Sequence, residues 1–199
     1  MKKLLKVLGI GAIVLLASVA GIVGLGFLFV MTANDVPLTD ADRQVVARAN
    51  ELAPWFDDFE PKEEYEKFEK VRYIDESLEV SYEYDSPSDE DPYILVTVSH
   101  ERSISDAMMT FTAEWSGQQM GLNIADSDLD LVEPDSFYSV GDQSRFANIT
   151  YDGAIVGHVL VARKGKSVYS YTITGFNMDD PDLWSELLDD RVNNLASND

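Results

Sequence analysis

Cysteine is absent from the 199-residue chain, which excludes disulfides, thiolate metal sites, a cysteine nucleophile and a lipid-modified cysteine. Histidine is almost absent. His100 and His158 are the only two, whereas a catalytic zinc takes three protein ligands, and neither sits in an HExxH pattern. The GxSxG of a nucleophile elbow is missing as well. Bases are scarce, at 15 Lys and Arg against 36 Asp and Glu. No motif calls for a cofactor.

What the chain does have is an uncharged apolar run from Val7 to Met31, preceded by Lys2, Lys3 and Lys6. At 1.5 Å per residue this run makes a helix roughly 37 Å long, more than the ~30 Å hydrocarbon core of a bilayer. A cleavable signal ending at Ser18-Val19-Ala20 is the competing reading. Its apolar region would span only about 7 to 15 residues, and this run continues well past Ala20. Lysines before the run and Asn34 and Asp35 after it place the amino terminus in the cytoplasm. The expected organisation is a basic tail (1–6), a transmembrane helix (7–31), a short tether (32–38) containing Pro37, and one acidic extracytoplasmic domain (39–199) at the cell (inner) membrane. Within the run, Ala17 with Gly21 and Ala20 with Gly24 form small-xxx-small pairs that permit close approach of another span.

All 36 acids fall after Met31 with 12 of the 15 bases, so the exported part carries −24 with neutral histidines. That charge excludes nucleic acid and an anionic lipid surface as direct partners, since both are repelled. Its simplest reading is an acidic surface that stays solvated in salt.

Thr39 with Asp42 caps a first helix whose apolar residues Val45, Val46, Ala49 and Leu52 run to a stop at Pro54. Trp55, Phe56 and Phe59 follow as an aromatic knot assigned to the core. Leu78 to Tyr84 alternates as a half-buried strand, and Tyr93 to Ser99 pairs with it across an acidic loop. Ser103 to Gly121 fits either period. The cap at Ser103 and Asp106 and the stop at Gly121 favour a helix with a stripe of Ile104, Met108, Phe111, Trp115 and Leu122. Strands follow at Leu129–Val132, Arg145–Tyr151, Ala154–Arg163 and Ser167–Thr174, with Asp152-Gly153 and Lys164-Gly165 as tight turns. Asp180-Pro181 opens a closing helix on Trp184, Leu187, Leu188, Val192 and Leu195.

The fold class is therefore α+β, an antiparallel sheet with helices over one face. From about Leu78 onward the order of elements, with an aromatic strand Val168-Tyr169-Ser170-Tyr171-Thr172-Ile173 before the closing helix, resembles the Mog1/PsbP-like modules. That resemblance implies a sandwich fold and a mostly non-enzymatic, accessory or binding role.

His100-Glu101-Arg102, where a strand hands over to a helix, is the only tight grouping of imidazole, acid and base. It is the candidate catalytic site of a hydrolase-type alternative. Asp126, Asp128 and Asp130 have the odd spacing of a calcium loop, but the sixth position is Leu131 and the twelfth Phe137. A cation-binding module is the third alternative. His158 is assigned to cross-strand packing, and Tyr82, Tyr84, Tyr169 and Tyr171 to the core rather than to an exposed platform. The leading expectation is a membrane-anchored accessory or binding domain whose partner is another membrane or envelope protein.

A solvated acidic surface makes a specific demand. The fragment from Thr32 gains thermal stability smoothly with NaCl as self-repulsion is screened, and CaCl2 at equal ionic strength adds little. A saturable calcium shift that vanishes in Asp128→Ala overturns this and selects the cation module.

Overall fold

The computed structural model describes residues 33–56, 59–88, 91–125 and 128–195, so the span read at 7–31 lies outside the described residues. Eight strands form one sheet: β1 (Asn34–Asp35), β2 (Glu66–Arg72), β3 (Leu78–Tyr84), β4 (Tyr93–His100), β5 (Leu129–Val132), β6 (Gln143–Tyr151), β7 (Ala154–Lys164) and β8 (Ser167–Thr174). Their spatial order is β1-β2-β3-β4-β8-β7-β6-β5, and every neighbouring pair is antiparallel. Two meanders thus meet where β4 pairs with β8. Four helices accompany them: α1 (Asp40–Val45), α2 (Ala49–Leu52), α3 (Ile104–Ala125) and α4 (Pro181–Asn194). None of the described helices is long and apolar enough to cross a membrane.

The turns form as their residues require. Asp152 (φ 51°) and Gly153 (φ 77°) make the two-residue β6–β7 turn, the geometry that matches strand twist. The β7–β8 turn is Gly165-Lys166, one residue later than the Lys164-Gly165 expected, with Gly165 at φ 58°.

Helices cover both faces of the sheet, which corrects the expectation of one. Val80, Tyr82, Tyr84, Ile94, Val96, Tyr169, Tyr171 and Ile173 pack with the buried stripe of α4 and with Val46, Ala47, Ala49 and Leu52. On the opposite face Ala107, Phe111, Trp115 and Leu122 of α3 pack on Ala147, Ile149, Val159, Val161 and Val168. The α3 stripe therefore runs through Ala107, while Ile104 and Met108 are exposed. Gly121 does not stop this helix. It continues to Ala125 because burying Leu122 outweighs the ~1 kcal/mol cost of a helical glycine. Ser103 does cap the start, its Oγ accepting the Asp106 N–H at 3.1 Å.

Four other features bear on the expected organisation. Asn34 and Asp35, placed in the tether, are paired with Arg72 and Val71, and Val36 N–H donates to the Lys70 carbonyl. The first helix is broken in two at Val46, where the backbone turns extended, although the Thr39–Asp42 capping box forms as expected. Of the aromatic knot Phe59 is buried and meets Tyr84 edge-on, while Trp55 and Phe56 are half-buried against the core, Phe56 stacking on Phe176 at 3.8 Å. The tyrosines are buried too, and two of them do polar duty. Tyr169 Oη accepts the Ala47 N–H at 3.0 Å; Tyr82 Oη accepts the Ala49 N–H at 2.8 Å and donates to Glu66.

These two hydroxyls satisfy the backbone at the α1–α2 break, where no helical carbonyl does. Tyr169→Phe leaves a buried N–H without an acceptor and should lower unfolding stability by about 1–3 kcal/mol in urea titration. Tyr93→Phe, whose hydroxyl lies 3.5 Å from Glu83, should cost well under that.

Candidate functional site

The residues singled out at the β4–α3 junction are separated by the fold. His100 ends β4 and its Nδ1 lies 3.1 Å from Ser167 Oγ. Glu101 turns the other way, toward α3, and Thr110 Oγ1 donates to its carboxylate at 2.8 Å while its N–H donates to the Lys166 carbonyl. Arg102 is exposed. No triad assembles from these three.

Glu101 instead joins carboxylates that the chain pattern assigns to solvent. Glu79 is half-buried on the side of the sheet that carries α3, and its carboxylate takes a hydrogen bond from the Tyr73 hydroxyl. Glu114 projects from α3, half-buried, and feels the charges of both Glu79 and Glu101. Burial raises all three carboxyls above their usual range. Thr110 opposes the shift at Glu101, and Tyr73 opposes it at Glu79. For Glu114, burial and then the two neighbouring acids push the carboxyl up to about 7. This grouping can take up and release a proton near neutral pH. Alternation in β3 marks Glu79 polar, and the pattern cannot show that Glu101 and Glu114 come near it.

The remaining candidates take structural places. Asp130 is exposed on β5 and Asp128 sits in the turn before it, while Asp126 lies outside the described residues. No three His, Asp or Glu side chains among the described residues converge on a cation. His158 is buried across from Asn148, its Nδ1 2.9 Å from Asn148 Oδ1 and its Nε2 accepting the Met178 N–H at 2.7 Å. Burial pushes its pKa down to about 4. On the same face of the sheet as His158 an open pocket gathers Arg43, Arg48 and Arg191 with Asp40 and Glu51. Each arginine is engaged, by the Phe68 ring at 4.5 Å, by Glu66 and by Glu51 respectively.

No protein-family model, curated protein sequence or solved structure matches the chain.

The raised carboxyl fixes a pH dependence. A folded pKa above the unfolded 4.5 means that the Glu114 contribution is fully present below about 4.5 and is lost as pH rises through about 7. The His158 contribution, with a lowered pKa, is present above 6.5 and is lost as pH falls toward about 4. Glu114→Gln keeps the second and removes the first. It should therefore exceed the parent in unfolding stability at pH 8, by roughly 1–2 kcal/mol after allowing for partial solvation, and the advantage should vanish by pH 4.5. Parallel stability curves for the two proteins across this range would contradict the assignment.

Proposed function

We propose that the protein is a single-pass, membrane-anchored extracytoplasmic domain that binds or assists another membrane or envelope protein. The observation that carries this is where the sheet begins. β1 starts at Asn34, three residues after the apolar run ends at Met31, and it is already paired to β2. Cleavage after Ala20 would leave residues 21–31, all apolar or glycine, joined to a folded sheet edge in water, at about 25 cal/mol for each Å² exposed. A bilayer removes that cost. The order of elements from about Leu78 onward resembles that of the Mog1/PsbP-like modules, and this resemblance favours a binding role over catalysis.

A second reading, a hydrolase-type enzyme using His100 and Glu101, draws on the raised carboxyls of Glu79, Glu101 and Glu114. Turnover of an ester or phosphoester substrate that is abolished by Glu101→Gln in a normally folded protein would select it.

Under the leading reading the protein stays in the membrane pellet through carbonate and high-salt washes, and protease added from outside digests the domain. Recovery of a soluble form beginning at Gly21 would overturn the anchor.

A further inference from the structure

The register fixes which end of the sheet faces the anchor. β1 runs antiparallel to β2 with Asn34 opposite Arg72, so the chain arrives from beyond Arg72. That end also holds the β2–β3 turn at 73–77, the end of β4 at His100, the start of α3 at Ile104 and the Gly165-Lys166 turn. Three residues of extended chain reach at most about 11 Å. The headgroup layer on each side of a bilayer is roughly 5–7 Å thick. If residues 7–31 span, this end of the sheet lies within reach of the headgroups.

This end carries exposed apolar side chains, as the domain does elsewhere at Met120 and Val132. Ile74 in the turn is 69% exposed, Ile104 is 55% exposed, and Met108, one helical turn further along α3, is 52% exposed. Arg72 and Arg102 are exposed beside them, with Lys166 half-buried. None of these three bases forms an ion pair among the described residues, while most other bases of the domain do. Of the described acids at this end only Asp142 is ion-paired, with Arg163 and Lys164; Asp75 and Asp106 accept from Ser77 and Ser103 and keep their charge, and Asp35 and Glu76 are exposed. The end its chain enters thus carries two well-exposed isoleucines and these three bases without ion pairs, interspersed with the acids Asp35, Asp75 and Glu76.

We propose that this end of the sheet docks into the headgroup layer of the bilayer, with Ile74 and Ile104 seated among the lipids and Arg72, Arg102 and Lys166 on their phosphates. The strands then stand upright on the membrane, and the far end, at Tyr151 and Ala154, points away from it. The net charge repels anionic lipid from the domain as a whole, so docking is confined to this end. The proposal rests on the reading of residues 7–31 as a span.

The absence of cysteine makes the test clean, since single cysteines carry a fluorophore with no background. The full chain is reconstituted into vesicles of phosphatidylcholine with a minor fraction of phosphatidylglycerol and floated on a density gradient. Labels at Ile74→Cys and Ile104→Cys should be quenched by headgroup spin-labelled lipid roughly threefold more than a label at Ala154→Cys. Equal quenching at the three sites in a chain that floats overturns the docking and leaves the span standing. A chain that fails to float overturns both. In a further arm a label at Ser105→Cys should lose its quenching when Ile74 and Ile104 are both changed to Glu, with the melting temperature unchanged because both are exposed. Retained quenching there overturns the role given to the isoleucines.

Discussion

Burial of β8 on both faces is the constraint from which the architecture follows. All eight of its residues are buried, and it lies between β4 and β7 at the seam of the two meanders. Such a strand cannot have a wet side, so each face needs its own helical layer. Toward α4 it presents Tyr169, Tyr171 and Ile173; the alternate positions carry Ser170, Thr172 and Thr174, short side chains that let a helix lie close. The connection from β4 to β5 supplies the second layer. β4 and β5 point the same way at distant positions in the sheet, so the chain must return along the sheet's length, and the 22 residues of α3 do so in about 33 Å. One helix thereby joins the two meanders and closes this face over β7 and β8, while the same side of β3 and much of β4 stays half-buried.

What the chain pattern revealed and what it hid divide along physical lines. β3, β5 and β8 are found at the bounds their alternation marks, and the closing helix buries Trp184, Leu187, Leu188 and Val192 as its spacing implies. β2 was missed. Its sequence, Glu-Lys-Phe-Glu-Lys-Val-Arg, has too few apolar residues to show a period, and it is held by its neighbours through Lys67–Glu83 and Lys70–Asp42. Charges of this kind suit a strand near a sheet edge, where they discourage pairing with another chain. The grouping of Glu79, Glu101 and Glu114 was hidden for a different reason. Period-two alternation separates two faces without saying which of them meets water. The polar side of β3 stays half-buried, and it is α3 that brings Glu114 within electrostatic reach of Glu79.

The same logic explains how so acidic a domain folds at all. Most of its bases are not scattered but used to tie elements together: Arg48 joins the α1–α2 break to β2, Arg191 joins α4 to α2, and Arg163 and Lys164 hold the loop before β6 to the end of β7. In half-buried pairs of this kind the cost of desolvation offsets much of the attraction, so their value lies in register and orientation more than in stability.

The seam between β4 and β8 also orders events in time. Every other strand pair joins neighbours in the sequence, but His100 waits for Ser167 and Tyr93 for Thr174. As the chain is synthesised the first meander is complete long before its partner strand exists. During that interval β4 offers a bare edge, Tyr-Ile-Leu-Val-Thr-Val, rich in residues that favour strand addition. Pairing across so long a loop is slow to form. The nascent protein is thus most vulnerable to aggregation after β4 has emerged and before β8 has, and a chaperone that shields strand edges would matter most in that interval.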